Sequence, residues 1–203
     1  MPASVKPLQI PDSGKAKRLH VRVGSASLQG LRRNNNEDRE YISPTRDLFI
    51  VADGIGGHSS GEVASKFAVE VVSHDLARIE TDASRTEIEE RVKAAIDRAH
   101  CMIVDLARDP NRQGAGSTLV LALLRNHRLY IAGVGDSRAY MVRGGDLRRL
   151  TKDDTWPETL VQMGRITVDQ AQNHHMRNYL LCALGMEDFK AEDEEIHIVD
   201  VFA

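Results

Sequence analysis

Apolar positions recur along the chain with different periods, and the changes of period mark its elements. Near the start, His20-Val21-Arg22-Val23 alternates as a half-buried strand does, which predicts a strand over residues 18–29. A polar loop over 30–39 follows, crowded with arginine, asparagine and acids. Leu48-Phe49-Ile50-Val51-Ala52 is continuously apolar, as expected of a buried strand. It runs into Asp53-Gly54-Ile55-Gly56-Gly57-His58, where glycines let the backbone turn sharply.

Residues 61–79 carry Val63, Phe67, Val71 and Leu76 at helical spacing. A second helix opens at Ser84 with Glu87 three residues on, the pattern of a capping box, and runs through Ile88, Val92, Ala95, Ile96 and Ile103. The period then becomes that of strands, over 117–124, 128–134, 137–142 and 147–150. Short turns separate them at Arg125-Asn126-His127, Gly135-Asp136 and Arg143-Gly144-Gly145, which predicts antiparallel hairpins. Two short helical pieces follow, one after Pro157 and one capped by Thr167 with Gln170 three residues later. Residues 196–202 read as one more strand. The order β, β, α, α, then several β, predicts an α+β fold with antiparallel sheets and segregated helices. Residues 18–203 are expected to form one domain behind a flexible lead-in over 1–17.

Composition narrows the functions open to such a fold. The 203 residues carry a formal net charge of -3, which argues against nucleic acid as a partner. An acidic protein still acts on an anion when bound metal ions reverse the local field. Cys101 and Cys182 form no CxxC pair and read as free thiols. The first 20 residues hold four basic side chains and no apolar core of a signal peptide. The longest apolar stretch, 119–124, falls far short of the roughly 20 residues that cross a bilayer. A soluble, cytoplasmic protein with no membrane partner is expected.

Candidate chemistry lies in three acidic places. Arg32-Arg33-Asn34-Asn35-Asn36-Glu37-Asp38, taken alone, is a solvated loop of compensating charges. Asp53-Gly54, taken alone, is a turn aspartate. An acid at the end of a buried strand is nevertheless costly unless paired or bound to a cation. Asp136 occupies a similar position in Val134-Gly135-Asp136-Ser137-Arg138. Together these acids suggest oxygen ligands for hard divalent ions such as Mg2+ or Mn2+.

Several stretches resemble the motifs of the PP2C (PPM) family of protein serine/threonine phosphatases, in its bacterial form. They are Gly30-x-x-Arg33-x-x-Asn36-Glu37-Asp38, then 51–58 followed by Gly61-Glu62-x-Ala64-Ser65, then Gly116-Ser117-Thr118 with 134–140, and lastly 150–154 and 177–185. The resemblance runs in family order from about residue 18 onward. It implies an αββα four-layer sandwich, two antiparallel sheets flanked by helices. It also implies hydrolysis of phosphoserine and phosphothreonine on proteins by a metal-activated water. Asp53 would bridge two metals (Mn2+ or Mg2+), with Glu37 and the Gly54 carbonyl on one of them and Asp136 on a third. Asp38 would stand in the shell around the first motif, and Arg33 would grip phosphate oxygens through its planar fork. Ile55 occupies the place where eukaryotic relatives carry a histidine; His58 is then the candidate general acid, against the plainer reading of a solvated loop histidine. His174 and His175 are adjacent and suit one ion poorly, and Trp156 reads as a flap contact or a packed aromatic. Residues 154–167 match the family's mobile flap. Partners would be phosphorylated proteins, substrates of a bacterial serine/threonine kinase. The family's remaining metal ligands lie beyond residue 203, so the domain is expected to lack its C-terminal strands, with a catalytically impaired, phosphoprotein-binding pseudophosphatase as the alternative.

Overall fold

The computed structural model describes residues 19–31, 33–56 and 59–202. The predicted lead-in over 1–17 lies outside them. Strands β1 (Asp38–Ile42) and β2 (Leu48–Ile55) lead into helices α1 (Ser59–Leu76) and α2 (Arg85–Ala107). Strands β3 (Gly116–Ser117), β4 (Leu119–Arg125), β5 (Arg128–Val134), β6 (Tyr140–Arg143) and β7 (Asp146–Arg149) follow, then α3 (Trp156–Gln162), α4 (Val168–Gln172) and β8 (His197–Asp200). The main sheet is antiparallel in the order β1-β2-β4-β5-β8, with β3 paired to β2, while β6 and β7 form a separate hairpin. The α+β class, with antiparallel sheets and helices grouped in sequence, is as expected. No helix among the described residues is long and apolar enough to cross a membrane.

Period-2 patterning decides which sheet face is covered. Leu48, Ile50 and Ala52 of β2, Leu119, Leu121 and Leu123 of β4, and Tyr130, Ala132 and Val134 of β5 all point to one side and are buried. Facing them are Ala64, Ala68, Val72 and Leu76 of α1, at helical spacing, and Ile88, Val92, Ile96, Ala99 and Ile103 of α2. Each large side chain fully buried there contributes about 1.5–3 kcal/mol, and this core fixes the strand ends that carry the acids. On the opposite face Val51 remains 46% exposed. There Tyr41, Phe49, Val51, Val120 and Ala122 line a shallow apolar hollow with Val23.

Two expectations need correction. Residues 19–30 form no strand, and Leu28 is 85% exposed. Alternation makes a strand only where the segment pairs with a neighbour, and this one pairs with no strand among the described residues. Side chains tie it to the next loop instead: Asn36 Nδ2 donates to Ser27 Oγ at 2.7 Å, and Gln29 Nε2 to the Arg33 carbonyl at 2.9 Å. The strand that enters the sheet is β1, its first two residues inside the expected polar loop. Its alternation is masked by charge, since Asp38, Arg39 and Glu40 precede Tyr41 and Ile42.

Between β1 and β2 the turn is built from side chains. Ser43 Oγ accepts from the Asp47 and Leu48 amides, both at 3.0 Å, and donates to Asp47 Oδ1 at 2.6 Å. Thr45 Oγ1 also donates to Asp47 Oδ1, and Arg125, only 7% exposed, donates to Asp47 Oδ2 at 2.7 Å. In α2 the Ser84 hydroxyl accepts from the Glu87 amide, and at α4 the Thr167–Gln170 capping box is complete in both directions.

Candidate active site

The antiparallel register of β1 and β2 sets Asp38 directly opposite Asp53. Thr118 clamps the Asp53 backbone: its Oγ1 accepts from the Asp53 amide and its own amide donates to the Asp53 carbonyl, each at 2.9 Å. Thr118 Oγ1 also shares a 2.7 Å hydrogen bond with Ser137 Oγ. These bonds hold the Asp53 backbone in place at the mouth of the site.

Glu37 is placed by the crossing of β2 with the start of α1. The Gly54 amide donates to the Glu37 carbonyl at 3.2 Å, and Ser65 Oγ donates to the same oxygen. A Cβ on Gly54 would stand 2.0 Å from the Gly61 carbonyl oxygen, and one on Gly61 would stand 2.8 Å from Glu37 Oε2. Only glycine at both positions lets strand, helix and carboxylate approach this closely. Glu37 Oε2 thereby lies over the first turn of α1, whose exposed amides favour a negative charge. Arg39 Nη2 pairs with Glu62 Oε1 at 2.6 Å and holds the acidic loop to the same turn.

Asp136 follows the end of β5. Its turn is fastened by Asp154, whose Oδ2 accepts from the Gly135 amide at 2.7 Å while the Asp154 amide donates to the Gly135 carbonyl at 2.9 Å. Asp153, 5% exposed, receives both Arg138 Nε and Nη2.

Arg33, Glu37, Asp38, Asp53, Gly54 and Asp136 all line one cavity of about 590 Å³, with Asn178 on its far wall. Burial, the Asp38 charge and a hydrogen bond with the Asp38 carboxyl push Asp53 up to about 6, and Asp136 and Glu37 add to the effect. Burial first, and then Asp153, also raise Asp136. Four carboxylates, those of Glu37, Asp38, Asp53 and Asp136, thus converge on one cavity. Such a set of hard oxygen donors at one strand end fits divalent ions of the Mg2+ or Mn2+ type. The family model for protein phosphatase 2C matches residues 32–182.

The chain belongs to the protein phosphatase 2C family. Serine/threonine protein phosphatase PstP of Mycobacterium tuberculosis is 36% identical over 167 residues, which are 82% of this chain and 31% of PstP. Serine/threonine phosphatase Stp of Listeria welshimeri is 37% identical over 163 residues, 78% of this chain and 65% of Stp. The chain therefore spans under two thirds of the length of these relatives. The crystal structure of PstP superposes with a TM-score of 0.76 at 35% identity, covering 86% of this chain and 71% of that one. A structure of the PstP catalytic domain in complex with two manganese ions gives a TM-score of 0.69 at 31% identity, covering 86% and 70%.

Within this family member, the structure brings together every expected site residue except His58, which lies outside the described residues. His174 and His175 stack on each other at 4.4 Å and do not line the cavity. Trp156 opens α3 and is 38% exposed. Thr118, Ser65 and Asp154 carry contacts, and Asn178 a place in the lining, that their motifs alone did not assign. Thr118 reaches Asp53 across 65 residues and Asp154 reaches Gly135 across 19, so no local pattern flags either. A second crowded group stands apart: ligand atoms of Asp154, Cys182 and Glu194 lie within 4.8 Å of one another. Burial and then Asp154 push the Cys182 thiol up to about 12 and Glu194 up to about 7.

Proposed function

We propose that this chain is a cytoplasmic, metal-dependent phosphatase that hydrolyses phosphoserine and phosphothreonine on proteins, opposing serine/threonine kinases. The observation that carries the reading is the convergence of Glu37, Asp38, Asp53 and Asp136 on one cavity that Arg33 also lines. The manganese ions in the PstP structure and the family membership support it. Asp53, Glu37 and the Gly54 carbonyl would hold Mn2+ or Mg2+, and Asp136 a further ion. Bound there, the ions would supply an activated water and positive charge for the phosphoryl group.

The protein's own groups have distinct tasks. Arg33 presents a planar fork suited to two phosphate oxygens and thereby orients the ester. Asp38, directly opposite Asp53 and hydrogen-bonded to its carboxyl, helps to place the central carboxylate. Thr118 keeps the Asp53 backbone fixed during turnover. His58 is assigned the protonation of the leaving alcohol. Residues 18–203 are taken as one phosphatase domain.

The test is manganese-dependent hydrolysis of p-nitrophenyl phosphate and of a phosphothreonine peptide by this chain. Turnover well above an Asp53→Ala control is expected. Equal rates for the two proteins would remove the catalytic reading.

A further inference from the structure

A groove of about 820 Å³ adjoins the acid-lined cavity, and the two share Asp136 and Asn178. One wall is the β6–β7 hairpin with its entry, carrying Arg138, Tyr140 and Arg149. The other is formed by α3 and α4, with Val161, Val168 and Ala171. Tyr140 is 50% exposed and Val168 63% exposed, so this apolar lining is open to an incoming chain. Any phosphopeptide seated with its phosphate in the cavity must leave along some surface, and this groove is continuous with the site.

Charge in the groove is mostly cancelled internally. Arg138 makes a forked contact with the buried Asp153. Arg149 Nη2 pairs with Glu158 Oε1 at 2.9 Å, and its Nη1 stands 3.5 Å from Asp153. Arg177 is different. Its amide donates to the His174 carbonyl at 3.0 Å, which fixes its backbone in a turn, while its guanidinium has no partner among the described residues. It is exposed, lines the groove, and precedes Asn178, which lines both cavities. An exposed guanidinium beside a substrate path is a ready bidentate partner for a carboxylate.

Building on the phosphatase reading, we infer that Arg177 selects phosphoprotein segments carrying an aspartate or glutamate close to the phosphorylated residue. The apolar wall of α3 and α4 takes an aliphatic neighbour of that acid. Arg177 is a positioning residue here, since its partner is the peptide flank and not the phosphate.

Matched phosphothreonine peptides with glutamate, alanine or lysine at the flanking positions test this. Both turnover and binding, read by fluorescence anisotropy with Mn2+ present, are measured. The glutamate peptide is expected to show a KM and a Kd about 10-fold below those of the alanine peptide, the size of one charge-assisted contact, with kcat unchanged. Arg177→Ala erases that ratio, Arg177→Lys keeps part of it, and Arg177→Glu shifts the preference to the lysine peptide. A preference that survives Arg177→Ala, or a wild type that does not discriminate in binding, overturns the inference. Failure of wild-type turnover on p-nitrophenyl phosphate would count against the phosphatase reading alone, because the binding ratios still decide the role of Arg177.

Discussion

Strand β2 has an aspartate at each end, and the two are held in opposite ways. Asp47, just before the strand, is raised by burial, but hydrogen bonds from Ser43 and Thr45 and the charge of Arg125 outweigh this and hold it below its ordinary value. Asp53, five positions after Leu48 and near the strand's other end, meets burial and three further acids. The first carboxylate is a structural part: its charge is satisfied by groups present in the fold. The second is kept at a free-energy disadvantage that a bound cation relieves. Acids at strand ends are therefore told apart by what faces them.

The largest effect should come from exchanging the roles. Asp53→Asn is expected to lower turnover by about 10³-fold, since metal stabilisation is worth several kcal/mol and each 1.36 kcal/mol is a factor of ten. In EDTA the same variant should melt higher than wild type, because a repelled charge is gone. A lower melting temperature would erase the contrast between the two ends. Asp47→Ala should do the reverse. Loss of the acceptor strands the buried Arg125 guanidinium, whose Nε already has no partner among the described residues, and is expected to cost about 3 kcal/mol in urea unfolding with kcat retained.

Metal titration examines the Asp53 end directly. Mn2+ must displace the proton held by the acid cluster, so calorimetry in buffers of different ionisation enthalpy should show proton release near pH 6, and apparent affinity should fall below that pH. Affinity independent of pH between 5 and 8 would contradict the shared proton. The smallest effect concerns Glu194, an acid raised by burial and by Asp154. Its folded value of about 7 lies above its ordinary one, so the folded chain binds a proton that the unfolded chain has released. Stability attributable to it is full at low pH and declines as pH rises toward 7. Glu194→Gln should flatten that decline and stabilise the protein at pH 8 by about 1 kcal/mol after allowance for solvent screening, with no gain near pH 4.

Much of this was legible in the sequence where local chemistry and tertiary context agree. The apolar run of β2, the α2 face from Ile88 to Ile103, the capping box at Thr167 and the hairpin punctuation at Arg143-Gly144-Gly145 need no distant partner to be recognised. The acids too were found, because an aspartate placed after five apolar residues is conspicuous. Reading failed where pairing decides. His20 to Val23 alternate yet pair with no strand among the described residues, whereas Asp38-Arg39-Glu40 look like loop and become a strand by pairing with β2. The clamp of Asp53 by Thr118 spans 65 residues, and no local pattern encodes it. Nor does any pattern distinguish the unpaired Arg177 from the paired Arg138 and Arg149.

The pairing of Asp38 with Asp53 has one more consequence. Side chains on a strand alternate between faces, so sliding β1 by a single residue along β2 would turn Asp38 away from Asp53, and in one direction would set Arg39 opposite it. Only the native alignment gathers the acids, and only gathered acids bind a dication well. Metal affinity is then a readout of correct strand alignment: a chain that has zipped β1 one step out of place is left unloaded, and added metal draws the population toward the aligned form.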